Sequence, residues 1–529
     1  MTQAKHERLL RRYPVATVAS LACLLAGAAG AAGAAHAQIF PLPEIVSGTT
    51  LTYEQYYDGN VVPVGVIQGS VTIHPAPPYP TQRSGTGIWV FSGANVTINP
   101  NLGVPGVVSV TSDYLAGAPN YALYVANGTV NIVASQAGVL LTGVGEQVHG
   151  VYMPEVSQGN SVLTGANVTI VTTGLKADGM RTYGASSIIN LSNTSITVNG
   201  QDSWGVRSWG GSNTTLTNST VRSNAAVGGG VKVYNGSIAT INGNSTITTA
   251  VAGNLGLNAE WDGTLNTNSD PNTPGTVTVS TTGARSHAVR IGSASGNLNR
   301  LSLSTTQDSA YGLLVNGTST VTGSQVAVNT QGTSAYGMWI SGSTAMLNGG
   351  SITTQGQTAH GLLSSGGSAK ANLSDFAIAT HGTQAYGIYG RTGSTTNFAG
   401  GSITTDQAST YGIYANAGTI NLQRSSATDE GTSITTAGTN AYAVRIENGG
   451  MFNATGSTIR ATGAGTAAIV FDAPQTLGGV LTSAPTPGLP TLPATTPLLP
   501  SSDPALPFAI DTPVPPRRRI SAAMFHRPR

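Results

Sequence analysis

The segments SAYGLLVNG (309–317), SAYGMWISG (334–342), TAHGLLSSG (358–366), QAYGIYGRTG (384–393) and STYGIYANAG (409–418) are five versions of one phrase. Their glycines, Gly312, Gly337, Gly361, Gly387 and Gly412, stand 24 to 26 residues apart. Self-similarity at a fixed period of this size marks an array of stacked units. The pattern extends upstream through Ala288, Gly256, Gly230, Gly205, Gly179, Gly150 and Ala122 to Gly87, and downstream to Ala443 and Ala468, giving about fifteen units.

The position after each anchor is aliphatic throughout, from Ile88 and Leu123 to Val444 and Ile469. Two positions further on the residues are again apolar or small, as in Val90, Val125, Ile446 and Phe471. The position between is mixed and includes Trp89, Tyr124, Tyr152, Arg181, Arg207, Lys232, Arg290 and Arg445. In–out–in alternation is a strand with one buried face. Each unit adds a second strand, such as VTIVTT (168–173) or SITT (351–354, 402–405, 433–436), and a third short one, such as AMLNG (345–349). Such a unit cannot bury its apolar face alone and must stack on copies of itself. Parallel crossovers favour one hand. The expected fold is therefore all-β, a right-handed parallel β-helix of about fifteen coils of about 25 residues, roughly 70 Å long at ~4.8 Å per coil. Helical repeats of similar period are excluded by the saturation with Gly and β-branched residues.

Composition agrees. Of 529 residues 69 are Gly, 8% are charged and 39% hydrophobic, too little charge for a disordered chain or a nucleic-acid binder. The basic residues bunch at the ends, at Lys5, Arg8, Arg11, Arg12 and again at Arg517, Arg518, Arg519, Arg527 and Arg529. Between residues 38 and 516 there are 14 Lys/Arg against 20 Asp/Glu, a net of −6. Nucleic acid is not an expected partner.

Residues 1–37 combine a basic start, the apolar run VATVASLACLLAGAAGAAGAA and the small-residue site Ala35-His36-Ala37. This reads as a secretory signal peptide with cleavage after Ala37, engaging the Sec machinery. The single Cys, Cys23, lies inside it, so the mature chain would have no disulfide. Residues 38–84 are short, Pro-rich and irregular, and are expected to cap the β-helix of 85–473. A Pro-rich linker follows at 474–516, then a basic tail, RRRISAAMFHRPR, at 517–529; the linker suits an extended spacer.

Signal peptide, Cys-free body, coils built on AYG and SITT phrases and a Pro-rich stretch together resemble the pertactin-like passenger domains of autotransporters. The resemblance implies an exported, surface-exposed or released virulence factor of a Gram-negative bacterium, often an adhesin, whose partner is a host surface component or glycan. It also implies a C-terminal outer-membrane translocator barrel, which residues 517–529 do not supply. A reading frame cut short near Arg517 is expected, with the periplasm as the resulting location, or else a separate transporter.

No catalytic signature appears. The acids Glu260, Asp262 and Asp270 cluster where the repeat stretches to 32 residues, and read as a polar loop or a weak ligand site; Asp429 and Glu430 fall in a second stretched unit. No G-x-S-x-G elbow occurs, the eight His lack metal spacing, and no cofactor is expected. Two rows remain. The slot before the anchor holds Trp204, Tyr311, Tyr336, Tyr386, Tyr411 and Tyr442, with His149, His287 and His360 in the same slot. Rings one coil apart can stack as a structural ladder. The outward row places Arg181, Arg207 and Lys232 on consecutive coils, with Arg290 two coils on and Trp89, Tyr124 and Tyr152 beside them. Solvated side chains account for it, or a shallow stripe for sulfated or phosphorylated glycans. Adhesion without catalysis is the expected function; the alternative is a β-helical enzyme degrading polysaccharide, which would show a carboxylate and basic cluster on one face.

Overall fold

The computed structural model describes residues 44–75, 85–101, 106–113, 120–134, 138–269 and 274–471, with the backbone alone of 481–482 and 508–511. The expected signal peptide, the basic tail and most of the expected Pro-rich linker therefore lie outside the described residues. The described chain is a parallel β-solenoid, and no helix interrupts it. One strand of every coil joins a 16-stranded parallel sheet, and the other two share a 30-stranded one. Successive coils are in register: Leu313 pairs with Met338, Met338 with Leu362, and Leu362 with Ile388.

The expected inward row is the floor of the 16-stranded sheet. From Ile88 to Val444 every member is fully buried. Ile469, on the last described coil of that sheet, is only partly buried, because no further strand of the sheet stacks beyond it among the described residues. SITT is also explained. In 351–354 both Ile352 and Thr354 point inward, and the Thr354 hydroxyl donates to the Ala359 carbonyl at 2.6 Å across the corner. Thr305 and Thr330 repeat this bond to Ala310 and Ala335. A buried hydroxyl would otherwise lose its hydrogen bond.

A flat strand becomes a closed coil by turning through the left-handed region at its corners. Arg300, Gln325, Gly349, Asp375 and Gly400 hold one corner on five successive coils, all at positive φ. Asp202, Val227, Gly253, Arg285 and Ser309 hold another. Asn, Asp and Gly tolerate this conformation, whereas a β-branched residue is strained there. Val227, at φ 57° and 63% exposed, gains no burial in return. Val227→Gly is therefore expected to stabilise the protein by about 1 kcal/mol, read as a higher urea midpoint.

The N-terminal segment corrects the expectation for residues 38–84. Gln55–Asp58 is a strand of the 16-stranded sheet, with Gln55 opposite Ile88, and Glu44–Ile45, Thr49–Leu51, Val64–Gln68 and Val71–Ile73 complete the stack. Its inward residues, a polar Gln55 and a large Tyr57, are both fully buried and break the aliphatic row of the other coils. Tyr57 fits because Gly65 has no side chain: a Cβ there would stand 2.2 Å from the Tyr57 ring. Residues 508–511, expected within an extended linker, instead pair as a strand with Thr458–Ala461.

Candidate interaction face

The anchor and the residue after it both face the interior, as Gly387 and Ile388 do, so the 16-stranded sheet carries three outward columns on either side of that pair: the slot before the anchor, the row of Arg181, and the position two beyond it. The first two carry rings on many coils, and the third carries them at Phe91, Tyr183, Trp209 and Tyr234. Trp89, Trp204, Trp209 and Trp339 lie on this sheet and Trp261 at its corner, which accounts for all five Trp of the chain. The other faces hold no Trp and are mostly polar, with pairs such as Ser351 and Thr353 and an amide ladder from Asn372 through Asn397 and Asn421 to Asn453 at 2.7–2.8 Å, although Ile188, Ile238, Met346 and Met451 are exposed there.

The ladder forms along the C-terminal coils. Tyr311 and Tyr336 stack at 5.0 Å and 1° between planes, Tyr386 and Tyr411 at 4.7 Å, and Tyr411 and Tyr442 at 5.4 Å. His287 and His360 are ordinary rungs, at 4.5 Å from Tyr311 and 4.6 Å from Tyr386. Burial holds both imidazoles neutral, lowering their pKa to about 4 and about 3. The adjacent column crosses the ladder: Trp339 lies at 82° to Tyr336, and Tyr389 at 88° to Tyr386. The pattern is a herringbone, in which edge-to-face contacts satisfy the ring quadrupoles. Arg445 sits over Tyr411, 5.3 Å from its centroid. Toward the N-terminus Trp89 and Tyr124 meet at 4.3 Å, and Tyr152 stacks on Tyr121 at 4.4 Å.

Trp204 departs from the expected ladder. Its coil neighbours in the slot are Asp178 and Gly229, so its ring lies over Gly229 and receives the Lys232 ammonium 5.5 Å from its centroid.

The cationic row is in register as expected: Arg181 opposite Arg207, Arg207 opposite Lys232, and Arg290 opposite Asn258. Its cations are not splayed into solvent. Asp178, fully buried, places Oδ2 at 3.1 Å from Arg207 Nε and 3.9 Å from Arg181 Nη1; Asp202 reaches Arg207 at 3.7 Å. Glu260 bridges Lys232, at 3.0 Å, and Arg290. Glu260 is therefore the end of a strand, Leu255–Glu260, and an ion-pair partner rather than part of a loop. The extra residues of that long coil enter beyond it; Asp262 follows at the corner, and Asp270 lies outside the described residues.

Asp178 is the most perturbed acid on this face. Burial raises its pKa to about 6 against the opposing pull of Arg207, the Trp204 N–H and Arg181. Its Oδ1 accepts the Trp204 N–H at 2.8 Å, and its own N–H donates to His149 Nδ1 at 2.9 Å. A folded-state value above that of a free aspartate side chain means that the folded chain takes the proton first. Stability from this group therefore rises as pH falls through about 6 and levels off below about 4. No group of three or more metal-ligating side chains occurs among the described residues.

No family model matches this chain, and no curated protein matches it. Among solved structures it aligns with a chain of the cryo-EM structure of the Vag8–C1 inhibitor complex. Identity is 14% over 81% of this chain and 100% of that one, with a TM-score of 0.46.

Proposed function

We propose that this chain is an exported, passenger-type rod that works by binding at a cell surface without catalysis, and that the outward face of the 16-stranded sheet is its binding surface. One observation carries the reading: four of the five Trp and most of the Tyr gather on one of three faces, with the fifth Trp at its corner, where stacking alone would need no Trp. Partly exposed aromatic side chains are among the residues that most often dominate binding energy at interfaces. The signal-like N-terminus and the Cys-free body support export, as does the resemblance to passenger domains. Cell-surface glycans suit a long, shallow face of this kind.

The test is binding of the full chain to a glycan array and to intact epithelial cells. A Trp89→Ala/Trp339→Ala variant, unfolding within a few degrees of the wild type, is expected to lose about tenfold or more in binding. Undiminished binding by a folded variant would remove this face from the account.

A second reading has one observation in its favour. Asp178, Asp202 and Glu260 with four cations form a carboxylate and basic cluster on a β-solenoid face. Polysaccharide cleavage needs an acid or base that touches substrate. Asp178 is wholly enclosed and Glu260 is held between two cations, so binding is the better-supported use. Release of oligosaccharides from an acidic polysaccharide by the full chain would reverse that preference.

A further inference from the structure

The cationic row neutralises itself in an unusual way. Along the slot before the anchor, ladder rings occupy most coils, and one coil places a carboxylate there instead. A buried carboxylate is tolerated only when paired, and Asp178 is paired from two coils. The groups facing it are His149 from the preceding coil, Arg181 on its own coil, and Arg207, Asp202 and the Trp204 N–H from the next. His149 accepts a backbone hydrogen bond and stays neutral, its pKa lowered to about 3 by burial. Asp178 is thus the internal counter-ion of two guanidiniums whose side chains keep 24% and 17% of their surface exposed.

We propose that Arg181, Arg207, Lys232 and Arg290 bind the acidic groups of a sulfated glycan lying along the rod, and that protonation of Asp178 releases the two arginines to it. Arg181 and Lys232 are two coil steps apart, as are Lys232 and Arg290, about 9.6 Å each, a spacing close to the repeat of an acidic disaccharide. Tyr152 on the coil before and Tyr183 and Tyr234 in the next column flank the cations. Asp178 and Glu260 have different parts. Burial raises the Asp178 carboxyl above the usual carboxylate range, whereas its two cations hold Glu260 ionised, its pKa lowered despite partial burial. This inference rests on the face being the binding surface.

The experiment measures affinity of the full chain for heparin at about pH 7.5 and about pH 5.5. Wild type is expected to bind about tenfold tighter at the lower pH. Asp178→Asn, which keeps the Oδ1 acceptor for Trp204, is expected to bind at the higher pH as wild type does at the lower, with a flat profile. Glu260→Gln should bind tighter at both and keep the pH dependence. Arg181→Gln/Arg207→Gln should abolish the acid gain, which decides the matter even if Asp178→Asn fails to fold. Equal affinity of wild type at both pH values, flattening by Glu260→Gln, or equal binding of DNA would overturn the proposal. Should heparin fail while the Trp89→Ala/Trp339→Ala variant still loses an uncharged glycan, the anion site falls and the face remains. Failure of every glycan ends both.

Discussion

Phe376→Ala is expected to lower stability by about 3–5 kcal/mol, the larger of two effects that follow from how the coils stack. Phe376 is fully buried, in a chain with only eight Phe. Its ring fits because the preceding coil places Gly350 opposite it; a Cβ on Gly350 would meet the ring at 2.9 Å. On the next coil, a Cβ on Gly401 would meet the Phe376 carbonyl at 2.1 Å. Each neighbouring coil thus gives up its side chain at this spot, so nothing can swing in to fill the space that Ala leaves. The cavity term should be near the upper end of its range. Solenoid unfolding spreads from a weak coil rather than occurring all at once. The measurement is therefore hydrogen exchange across residues 344–405 alongside urea denaturation. Exchange accelerated in those coils and unchanged near residue 180 is the expected pattern.

The second effect is of the opposite kind. Gly337→Val is expected to destabilise by about 3 kcal/mol through overpacking. The backbone at Gly337 is unstrained, so conformational freedom is not the reason for glycine. A Cβ would stand 2.2 Å from Ile352 Cγ2 and 2.6 Å from the Gly361 carbonyl. The anchor column is where the 16-stranded sheet comes closest to the strand opposite it. Gly205, Gly230, Gly361 and Gly387 meet Val221, Ile247, Ile378 and Ile403 in the same way. Ala occupies the column at 122, 288, 443 and 468, so Gly337→Ala should cost clearly less than Gly337→Val. Thermal unfolding of the two variants checks the order.

Much of this was legible because a solenoid writes its geometry into a period. The inward aliphatics, the outward cations and the glycine anchors each recur once per coil, and register followed from aligning them. What stayed hidden had no repeat to reveal it. Gln55 and Tyr57 break the inward row of their coil, so that coil passed for irregular chain. Asp178 occupies a slot that reads as a ring elsewhere, and only its place one coil before Arg207 hints at the ion pair. Glu260 was hidden by the long unit around it, although counting from Leu257 would have placed it on the strand beside Lys232 and Arg290. Trp209 and Tyr234 form a third outward column that single residues could not announce.

The central claim is that outward residues one coil apart stand side by side on one continuous sheet. In a Cys23→Ser background, Ser341→Cys and Ser365→Cys place thiols at paired positions, with Cα atoms about 4.8 Å apart, inside the range a disulfide spans. Oxidation should cross-link this pair within the folded chain, while Ser341→Cys with Leu363→Cys, two residues out of register, should remain reduced. Cross-linking of the offset pair in place of the paired one would contradict the register, and with it the face.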